Sequence, residues 1–391
     1  MRAISLILLS LLPLLSCWGQ PTTRLYEGLF CEGPCTDMVM EDSIDARYSP
    51  EGIVIRGSKG RLRLDRYYSL GQRTARYVVH FSPDAVAQFY TDNGDIVFRV
   101  DLQRKRISQE NQIQTWKEVE WLVPEDDYLV EMVHDYATNS LYITSLQSGR
   151  TERIEVVNDG PGGYGAGEQK ESANIGCQWD YYCVSLLQGT SMTVRQMNVV
   201  AAACNLVLLI YGDSITQPEW YYPAKDFPQS WTQLVMGRCQ GRAMTSGRNG
   251  CTIAEVLLRI KNELPFLKAK YVMITIGTNG GNTEENLSEL VDYILSQGSI
   301  PILNNIPCNE ENDQVEKNAL IDRVRKKYGI RGCRFDVATS VHRDGKEVDK
   351  SLMYHEDWKI IYGKDFYHHP NVKGARRMFL QTLIDIPEIY E

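Results

Sequence analysis

The sequence predicts two domains of different fold class: an antiparallel β-sandwich followed by a three-layer α/β domain built on a parallel sheet. In the first half, short runs of alternating apolar and polar residues are separated by Gly, Asn, Asp and Ser, which is typical of antiparallel strands. In the second half, short apolar runs alternate with longer runs whose apolar residues have helical spacing. That alternation indicates βα units on a parallel sheet.

Length and charge are compatible with this organisation. The 391 residues provide enough chain for two domains, each with its own core. We expect the sandwich at residues 20–203 and the α/β domain at residues 204–391. The formal net charge of −8 favours solubility and argues against a nucleic acid as the ligand.

Seven runs in the first domain have the alternation of strands. They cover residues 52–57, 61–68, 75–82, 95–102, 128–136, 140–146 and 191–199. Their order resembles a concanavalin- or laminin-G-like jelly roll, and such a lectin-like domain suggests glycan binding. Aromatic residues of this domain either stack on a glycan, or they fill a core or cover the catalytic domain; they are Trp116, Trp121, Trp179, Tyr181 and Tyr182.

The second domain is predicted from its alternating elements. Strands are expected at 206–211, 299–307 and 334–341, and helices at 253–264, 283–298, 310–329 and 372–384. The helix at 283–298 begins with a Thr cap and an acidic first turn, and it ends at Gly298. The last strand, 334–341, is expected to be the fifth of the sheet.

A serine follows directly on the first of these strands. The six residues from Leu206 to Tyr211 are apolar or aromatic, which indicates a strand covered on both faces. The chain then reads Gly212-Asp213-Ser214, and ligands of open α/β sheets bind outside the carboxyl ends of the strands. Ser214 is therefore a candidate nucleophile, although a serine at this position is also a common helix N-cap.

A serine nucleophile needs further groups, which other stretches of the chain supply. The hydroxyl needs a hydrogen-bonded base, normally a histidine oriented by a carboxylate. The tetrahedral oxyanion needs donors already aimed at it, each worth about 2.7–4 kcal/mol of barrier. The stretches in question are TSGRNGCT at 245–252, KYVMITIGTN at 270–279 and DFYHHPN at 365–371.

Together with Gly-Asp-Ser, these stretches form an ordered set of four that resembles the SGNH (GDSL-type) esterase and lipase family. The resemblance covers about residues 204–391. It implies a flavodoxin-like three-layer fold, a Ser-His-Asp triad that forms an acyl-enzyme, and no metal or organic cofactor. We therefore expect an exported serine esterase of this type.

The resemblance assigns roles to residues of the first three blocks. It implies that Ser214 is the nucleophile, and that the Ser214 N–H, the Gly250 N–H and the Asn279 side chain are the oxyanion donors. An ordinary turn glycine and a helix cap are the structural alternatives for Gly250 and Asn279. One departure concerns Gly280, which stands where the family usually has an aspartate outside the triad.

The fourth block leaves two histidines open as the base. The family pattern is Asp-x-x-His followed by Pro, with a glycine five residues after the histidine. Asp365 and His368 satisfy its first half, whereas His369, Pro370 and Gly374 satisfy the second. We favour His369 slightly, because Pro370 would hold it at the mouth of the last helix. Asp365 is the expected orienting carboxylate for either histidine.

Aromatic residues follow the nucleophile in the sequence. In the family the segment after the first block helps to shape the substrate pocket. The resemblance therefore implies substrate contacts for Trp220, Tyr221 and Tyr222, for instance by stacking on a sugar ring. Structural packing is an equally good interpretation of this cluster.

The first residues indicate export. An apolar run from Ala3 to Leu12 follows Arg2, and it is too short to span a bilayer as a mature helix. We interpret residues 1–19 as a signal peptide. Leu14-Leu15-Ser16-Cys17 resembles a bacterial lipobox with Cys17 as the lipidated residue, and cleavage after Gly19 is the alternative. The expected location is the periplasm, the outer membrane as a lipoprotein, or the medium.

Cysteine spacing suggests local disulfides but no metal centre. In an exported protein, Cys31 with Cys35 and Cys177 with Cys183 are candidate pairs. No Cys or His group with ligand spacing follows the first pair, so zinc is not expected.

Three functions remain open at the level of sequence. Export together with a lectin-like domain suggests removal of acetyl or other short acyl groups from polysaccharides, so an acylated glycan or another small ester is the expected partner. A lipase or lysophospholipase is the alternative within the family. A glycan-binding surface protein with an inactive hydrolase domain is the alternative outside it, and the displaced histidine and Gly280 favour that hypothesis.

Overall fold

Two large antiparallel sheets and one parallel sheet form most of this chain in the computed structural model. The structure describes residues 22–92, 96–110, 115–136, 138–157, 181–218, 226–311, 313–357 and 365–391. The sheets occur in the predicted order, antiparallel first and parallel second. The predicted fold class, a β-sandwich followed by an α/β domain, is confirmed.

Within the described residues of the first part, fifteen strands form the two antiparallel sheets. They are β1 (Thr23–Leu29), β2 (Met38–Glu41), β3 (Asp45–Ser49), β4 (Gly52–Arg56), β5 (Arg61–Leu64), β6 (Gln72–Phe81), β7 (Val86–Thr91), β8 (Val97–Asp101), β9 (Arg106–Gln109), β10 (Thr115–Glu118), β11 (Asp127–Asp135), β12 (Thr138–Ser145), β13 (Thr151–Val157), β14 (Tyr182–Gln188) and β15 (Met192–Ala201). One sheet has the order β13-β12-β11-β6-β15-β4-β3, with β1 also paired to β15. The other has the order β10-β9-β8-β7-β14-β5-β2.

The pattern of apolar residues on β15 explains its place at the centre of the first sheet. Met192 and Val194 point inward, and the inward positions then shift to Met197 and Val199, all at most 1% exposed. A β-bulge between Val194 and Gln196 inserts the extra residue that causes this shift. The bulge therefore keeps apolar side chains on one face along all ten residues of the strand.

The second part contains a parallel sheet flanked by helices. The strands are β16 (Leu208–Gly212), β17 (Ala243–Gly247), β18 (Tyr271–Thr275) and β19 (Ile300–Leu303). The α-helices are α1 (Trp231–Arg238), α2 (Ile253–Leu267), α3 (Glu284–Ser296), α4 (Gln314–Tyr328), α5 (Phe335–Thr339) and α6 (Val372–Asp385). The order β17-β16-β18-β19 is parallel throughout, and every residue of the first three strands is buried.

Shorter elements complete the chain. Among the described residues, 3₁₀ turns are formed by Phe30–Glu32, Phe227–Gln229, Lys350–Leu352 and Pro387–Tyr390. A two-stranded ribbon is formed by β20 (Glu356–Asp357) and β21 (Asp365–Phe366). Helix α6 packs against α1 and α5, whereas α3 packs against α2 and α4. The connection from β16 to β17 runs toward one edge of the sheet, and the connection from β17 to β18 runs toward the other edge. Because such connections are right-handed, the two helix groups cover opposite faces of the sheet.

The predicted fifth strand at 334–341 is wrong, because α5 occupies this stretch. The fifth position is taken by the residues just before it. Arg331 forms a parallel bridge with Ile302, and the Asn305 N–H donates to the Cys333 carbonyl at 2.9 Å. A short apolar run has no periodicity that separates a buried strand from a buried helical turn, and here the helical turn buries Phe335 fully.

One apolar core runs through both parts of the chain. Strand β15 ends at Ala201 and β16 begins at Leu208, so the two parts are joined by a short connection. They also share hydrogen bonds, such as the one from the Gly71 N–H to the Thr245 carbonyl at 2.8 Å. The boundary at 203/204 stays a prediction, since the shared core marks no break there.

The predicted disulfide between Cys31 and Cys35 is wrong, because both residues carry free thiols. The Cys35 sulfur instead lies 3.1 Å from the Tyr26 hydroxyl. Cys183 is also a free thiol, and its candidate partner Cys177 lies outside the described residues. Within the described ranges, no helix combines the length and the apolar character that crossing a membrane requires.

The end of β16 tolerates no side chain. A Cβ atom on Gly212 would lie 2.4 Å from the Thr275 carbonyl oxygen of the neighbouring strand. We expect Gly212→Ala to lower the free energy of unfolding by about 1–3 kcal/mol, because backbone atoms must shift to make room. Urea unfolding of the full chain measures this change.

The matched control is Gly237→Ala in α1, where a Cβ would meet nothing within 4 Å. Since alanine is the better helix former, this variant should be as stable as the wild type or more so. Equal stability of the Gly212→Ala variant and the wild type would contradict the close packing of β16 against β18.

Candidate active site

The candidate nucleophile lies in a tight turn at the carboxyl edge of the parallel sheet. Strand β16 ends at Gly212, and the Asp213 carbonyl accepts hydrogen bonds from the N–H groups of Thr216 and Gln217 at 3.0 and 3.1 Å. This turn brings Ser214 just beyond the strand end. Ser214 is 5% exposed, so its hydroxyl lies in a largely dehydrated position.

His369 is the histidine that lies beside Ser214. Its Nε2 atom is 2.9 Å from the Ser214 Oγ atom, a hydrogen bond between residues 155 positions apart. The loop before α6 holds the imidazole in place: the Tyr354 N–H donates to the His369 carbonyl at 2.8 Å, and Asn371 caps the helix. With His369 only 4% exposed, this is the geometry of a nucleophile and its base.

His368 points elsewhere. Its ring stacks on Phe366 with centroids 5.4 Å apart and meets the His369 ring edge-on at 4.7 Å. Its Nδ1 atom is buried and has no hydrogen-bond partner within the part of the chain that the structure describes. Burial, and then the charges of His369 and Lys317, hold the His368 pKa well below its usual range. His368 is therefore a neutral ring packed behind the Ser214–His369 pair.

Two groups of predicted site residues lie outside what the structure describes. The backbone of Asp365 belongs to β21, but its side chain is outside the described part, so its orienting role stays a prediction. Trp220, Tyr221 and Tyr222 fall between the described residues 218 and 226. Their predicted contact with substrate is likewise an expectation.

The loop of residues 248–251 follows β17 and approaches the turn of Ser214. The Arg248 N–H donates to the Gly212 carbonyl at 3.1 Å, and the Asn249 N–H donates to the Gln217 side-chain oxygen at 2.7 Å. These bonds fasten the 248–251 loop to the residues on both sides of Ser214. Gly250 has a φ of +73°, a left-handed conformation that favours glycine.

Two backbone N–H groups are the candidate donors of the oxyanion hole. In the described ranges, neither the Ser214 N–H nor the Gly250 N–H donates a hydrogen bond to a protein acceptor. Two unpaired N–H groups on neighbouring strand ends are what a developing oxyanion needs.

Asn279 follows β18 and contacts the same loop. Its side-chain nitrogen donates to the Cys251 carbonyl at 3.1 Å. An amide nitrogen carries two hydrogens, so this bond leaves one for a ligand, and the residue is exposed. Gly280 has a φ of +108°, a conformation that is unfavourable for a residue with a side chain such as aspartate.

Asp213 is a buried carboxyl group that the sequence analysis did not single out. It is 0% exposed, and its Oδ1 atom accepts from the Ile215 N–H at 3.0 Å. Burial raises the pKa of Asp213 to about 6, against the opposing effects of the Ile215 N–H and the His369 charge. The position of Asp213 directly before the candidate nucleophile was the sequence feature that could have identified it as a residue of the site.

Gln217 and Arg259 are further residues of the site that the sequence analysis missed. Both are at most 1% exposed, and Arg259 contacts the ends of β16 and β17. Position 259 lies on the same helix face as the apolar Val256 and Ile260, and a charge among such residues was the signal of a buried polar network.

The aromatic residues of the sandwich divide between core and surface. Tyr182 is 1% exposed, and Trp121 stacks on Tyr128 at a centroid distance of 6.3 Å; both pack in the core. Trp116 is 58% exposed, and Tyr181 lies under the Arg63 guanidinium at 4.6 Å. Trp179 is outside the described residues.

Solved structures that this chain is similar to include hydrolases and a lectin-like protein. A catalytic mutant of an acetylxylan esterase from Geobacillus stearothermophilus is 16% identical, with a TM-score of 0.37 over 47% of this chain and 95% of that chain. A GDSL-like lipase from Bacteroides thetaiotaomicron is 18% identical, with a TM-score of 0.34 over 44% and 84%. Arcelin-5, a lectin-like defence protein from Phaseolus vulgaris, is 7% identical, with a TM-score of 0.34 over 46% and 98%.

A GDSL-like lipase and a lipolytic protein of the G-D-S-L family are thus among the solved structures that this chain is similar to. No protein-family model matches the chain, and no curated relative matches it. In the described ranges, no three His, Cys, Asp or Glu side chains are grouped so that they could hold a metal ion.

The raised pKa of Asp213 predicts a pH-dependent stability. Because its pKa is about 6 in the folded chain and about 4 when unfolded, the proton is bound more tightly in the folded state. The stabilisation from this proton is complete below about pH 4 and is lost as the pH rises through about 6. From pH 4 to pH 8 the wild type should lose about 2 kcal/mol of unfolding free energy relative to Asp213→Asn.

The asparagine side chain keeps an oxygen that can accept from the Ile215 N–H, but it does not titrate. The comparison of Asp213→Asn with the wild type therefore isolates the effect of the carboxylate charge. Urea unfolding of both proteins from pH 4 to pH 8 measures the difference. Asp344→Asn, at an exposed position, is the control for the loss of a carboxyl group that is not buried. A difference between the wild type and Asp213→Asn that stays the same from pH 4 to pH 8 would contradict the burial of an ionisable carboxyl beside Ser214.

Proposed function

We propose that this chain is a serine esterase in which Ser214 is the nucleophile and His369 the general base. The observation that carries the proposal is the 2.9 Å hydrogen bond between the Ser214 Oγ atom and the His369 Nε2 atom. Both side chains are buried at the carboxyl edge of the sheet, where a bound ester would exclude the remaining water.

The reaction proceeds through an acyl-enzyme. The Ser214 Oγ atom attacks the ester carbonyl while the His369 Nε2 atom takes its proton. Collapse of the tetrahedral intermediate breaks the bond to the alcohol oxygen, which leaves with the proton from the imidazolium. Water then attacks the acyl group with His369 again as the base, and the carboxylic acid is released. These steps need only groups of the protein, the ester and one water molecule, without a metal or organic cofactor.

The oxyanion is stabilised by donors from three strand ends. The N–H groups of Ser214 and Gly250 and the Asn279 amide are assigned to this role. Neither backbone donor has a protein acceptor among the residues that the structure describes, which supports the assignment. Each such donor contributes about 2.7–4 kcal/mol to lowering the barrier. Asp365 completes the proposed triad as the carboxylate that orients His369.

The proposed substrate is a carbohydrate that carries acetyl or other short acyl groups as esters. The joining of a β-sandwich of lectin-like order to the hydrolase fold supports a glycan substrate. Trp220, Tyr221 and Tyr222 are proposed to contact the sugar. The alternative substrate class is a lipid ester with a longer acyl chain.

We further propose that the protein acts outside the cytoplasm. The apolar run at Ala3–Leu12 and the lipobox-like sequence ending at Cys17 support export, with a lipid anchor on Cys17 as the attachment to a membrane. Extracellular or periplasmic glycans would then be within reach of the site.

Hydrolysis of p-nitrophenyl acetate, butyrate and octanoate tests the chemistry. We expect the wild type to prefer acetate, and Ser214→Ala and His369→Ala to lower kcat/KM by about 10³-fold or more, since nucleophile and base act as a unit. His368→Ala is the matched control, because its ring does not contact Ser214, and it should retain most of the activity.

Other outcomes would separate the alternatives. Preference for octanoate would favour a lipase. Hydrolysis by the wild type that equals that of Ser214→Ala on every ester would contradict the esterase proposal. If His368→Ala lost activity and His369→Ala kept it, His368 would be the base and His369 would not.

A further inference from the structure

A single buried guanidinium connects the ends of two strands with the 248–251 loop. Arg259, on α2, is 0% exposed. Its Nη1 atom donates to the Ser246 carbonyl at 2.7 Å, and its Nη2 atom donates to the Gly212 carbonyl at 3.0 Å. The same Nη2 atom lies 3.1 Å from the Cys251 sulfur.

These acceptors all border the candidate oxyanion hole. Gly212 lies two residues before Ser214, and Cys251 directly follows Gly250. The Gly212 carbonyl also accepts from the Arg248 N–H at 3.1 Å, so both of its lone pairs are used. The guanidinium is therefore the common partner of the chain segments that carry the two backbone donors.

The charge of Arg259 is balanced indirectly. The Ser246 hydroxyl lies 3.4 Å from the Arg259 Nη1 atom and 3.4 Å from the Glu263 Oε1 atom, to which it donates. Glu263 is also 0% exposed. A buried charge without polar partners is strongly destabilising, and the Ser246 hydroxyl connects this guanidinium with the buried carboxyl.

The sandwich covers this pair from the other side. The Ser69 N–H donates to the Glu263 Oε1 atom at 3.0 Å, and the Tyr67 ring lies 5.8 Å from the Arg259 guanidinium carbon. The Asn262 side chain donates to the Tyr67 carbonyl at 3.2 Å. The segment between β5 and β6 thus closes the network and excludes water from it.

We propose that Arg259 is a positioning residue for ester hydrolysis, which fixes the Ser214 turn and the 248–251 loop so that their N–H groups converge on the oxyanion. Glu263 and the sandwich segment 67–69 hold Arg259 in place, which makes the sandwich a structural part of the active site. This inference rests on the proposed esterase function.

The chemistry of arginine explains why this residue type is required. A guanidinium presents donors in a fixed planar fork and can bond several carbonyls at once, whereas a lysine ammonium is a point charge on a flexible stem. Loss of the guanidinium frees the 248–251 loop but removes no hydrogen bond of Ser214 or His369. Transition-state stabilisation should suffer, while substrate binding should be nearly unchanged.

The test compares Arg259→Met, Arg259→Lys and the wild type on p-nitrophenyl acetate. Competent sites are counted by titration with a p-nitrophenyl phosphonate, so that kcat refers to folded, reactive protein. We expect Arg259→Met to lower kcat per titrated site by about 10- to 100-fold, the cost of a small misplacement of reacting groups, with KM nearly unchanged. Arg259→Lys should recover part of this loss.

An arginine on the surface supplies the matched control for the loss of a guanidinium. Arg323→Met, which removes an exposed arginine of α4, is the control and should behave as the wild type.

Cysteine variants keep the test decisive if Arg259→Met does not fold. Cys251→Ala removes only the sulfur contact of Arg259, and we expect a smaller fall in kcat per titrated site. Cys239 is equally buried, but its thiol contacts the Ile389 carbonyl, so Cys239→Ala should leave kcat unchanged.

Two kinds of failure are distinguishable. Folded Arg259→Met and Cys251→Ala variants with wild-type kcat, or a loss that appears only in the number of titrated sites or in KM, would overturn the positioning role alone. A wild type without ester hydrolysis and without titratable sites would overturn the esterase proposal, and the positioning role with it.

Discussion

The position of β16 is the constraint on which the remainder of the site depends. This strand lies between β17 and β18, all five of its residues are buried, and it ends at a glycine that can carry no Cβ against the Thr275 carbonyl. The turn that follows, in which the N–H groups of Thr216 and Gln217 donate to the Asp213 carbonyl, brings Ser214 to the carboxyl edge of the sheet. Gly250 and Asn279 follow the two flanking strands, so three neighbouring strand ends converge on one place.

Much of this arrangement could be predicted from the sequence, because it follows from local patterns. Apolar runs that end in Gly-rich segments mark the strand ends, and parallel strands bring such ends to one edge. Spacing alone could not choose between His368 and His369, since each satisfies half of one motif. The choice depends on backbone direction: Asn371 caps α6, and the Tyr354 N–H binds the His369 carbonyl.

Other features depend on tertiary contacts that no local pattern encodes. The stretch at 334–341 forms a helical turn because its apolar side chains are buried there in that form, while Arg331 and Cys333 supply the pairing at the sheet edge. Arg259 and Glu263 lie among the buried apolar residues of α2, where a charge indicates a buried polar network. Their partners include Ser246 on β17 and Ser69 in the sandwich, and residue spacing on the helix cannot predict these partners.

Covalent trapping of the nucleophile tests the central claim most directly. The full chain would be treated with a fluorophosphonate, the adducts counted by intact mass, and the modified residue identified by peptide mapping. We expect one adduct per chain, located on Ser214 and absent from Ser214→Ala. An unmodified wild type, or an adduct on a different residue, would contradict the assignment of Ser214 as a nucleophile activated by His369.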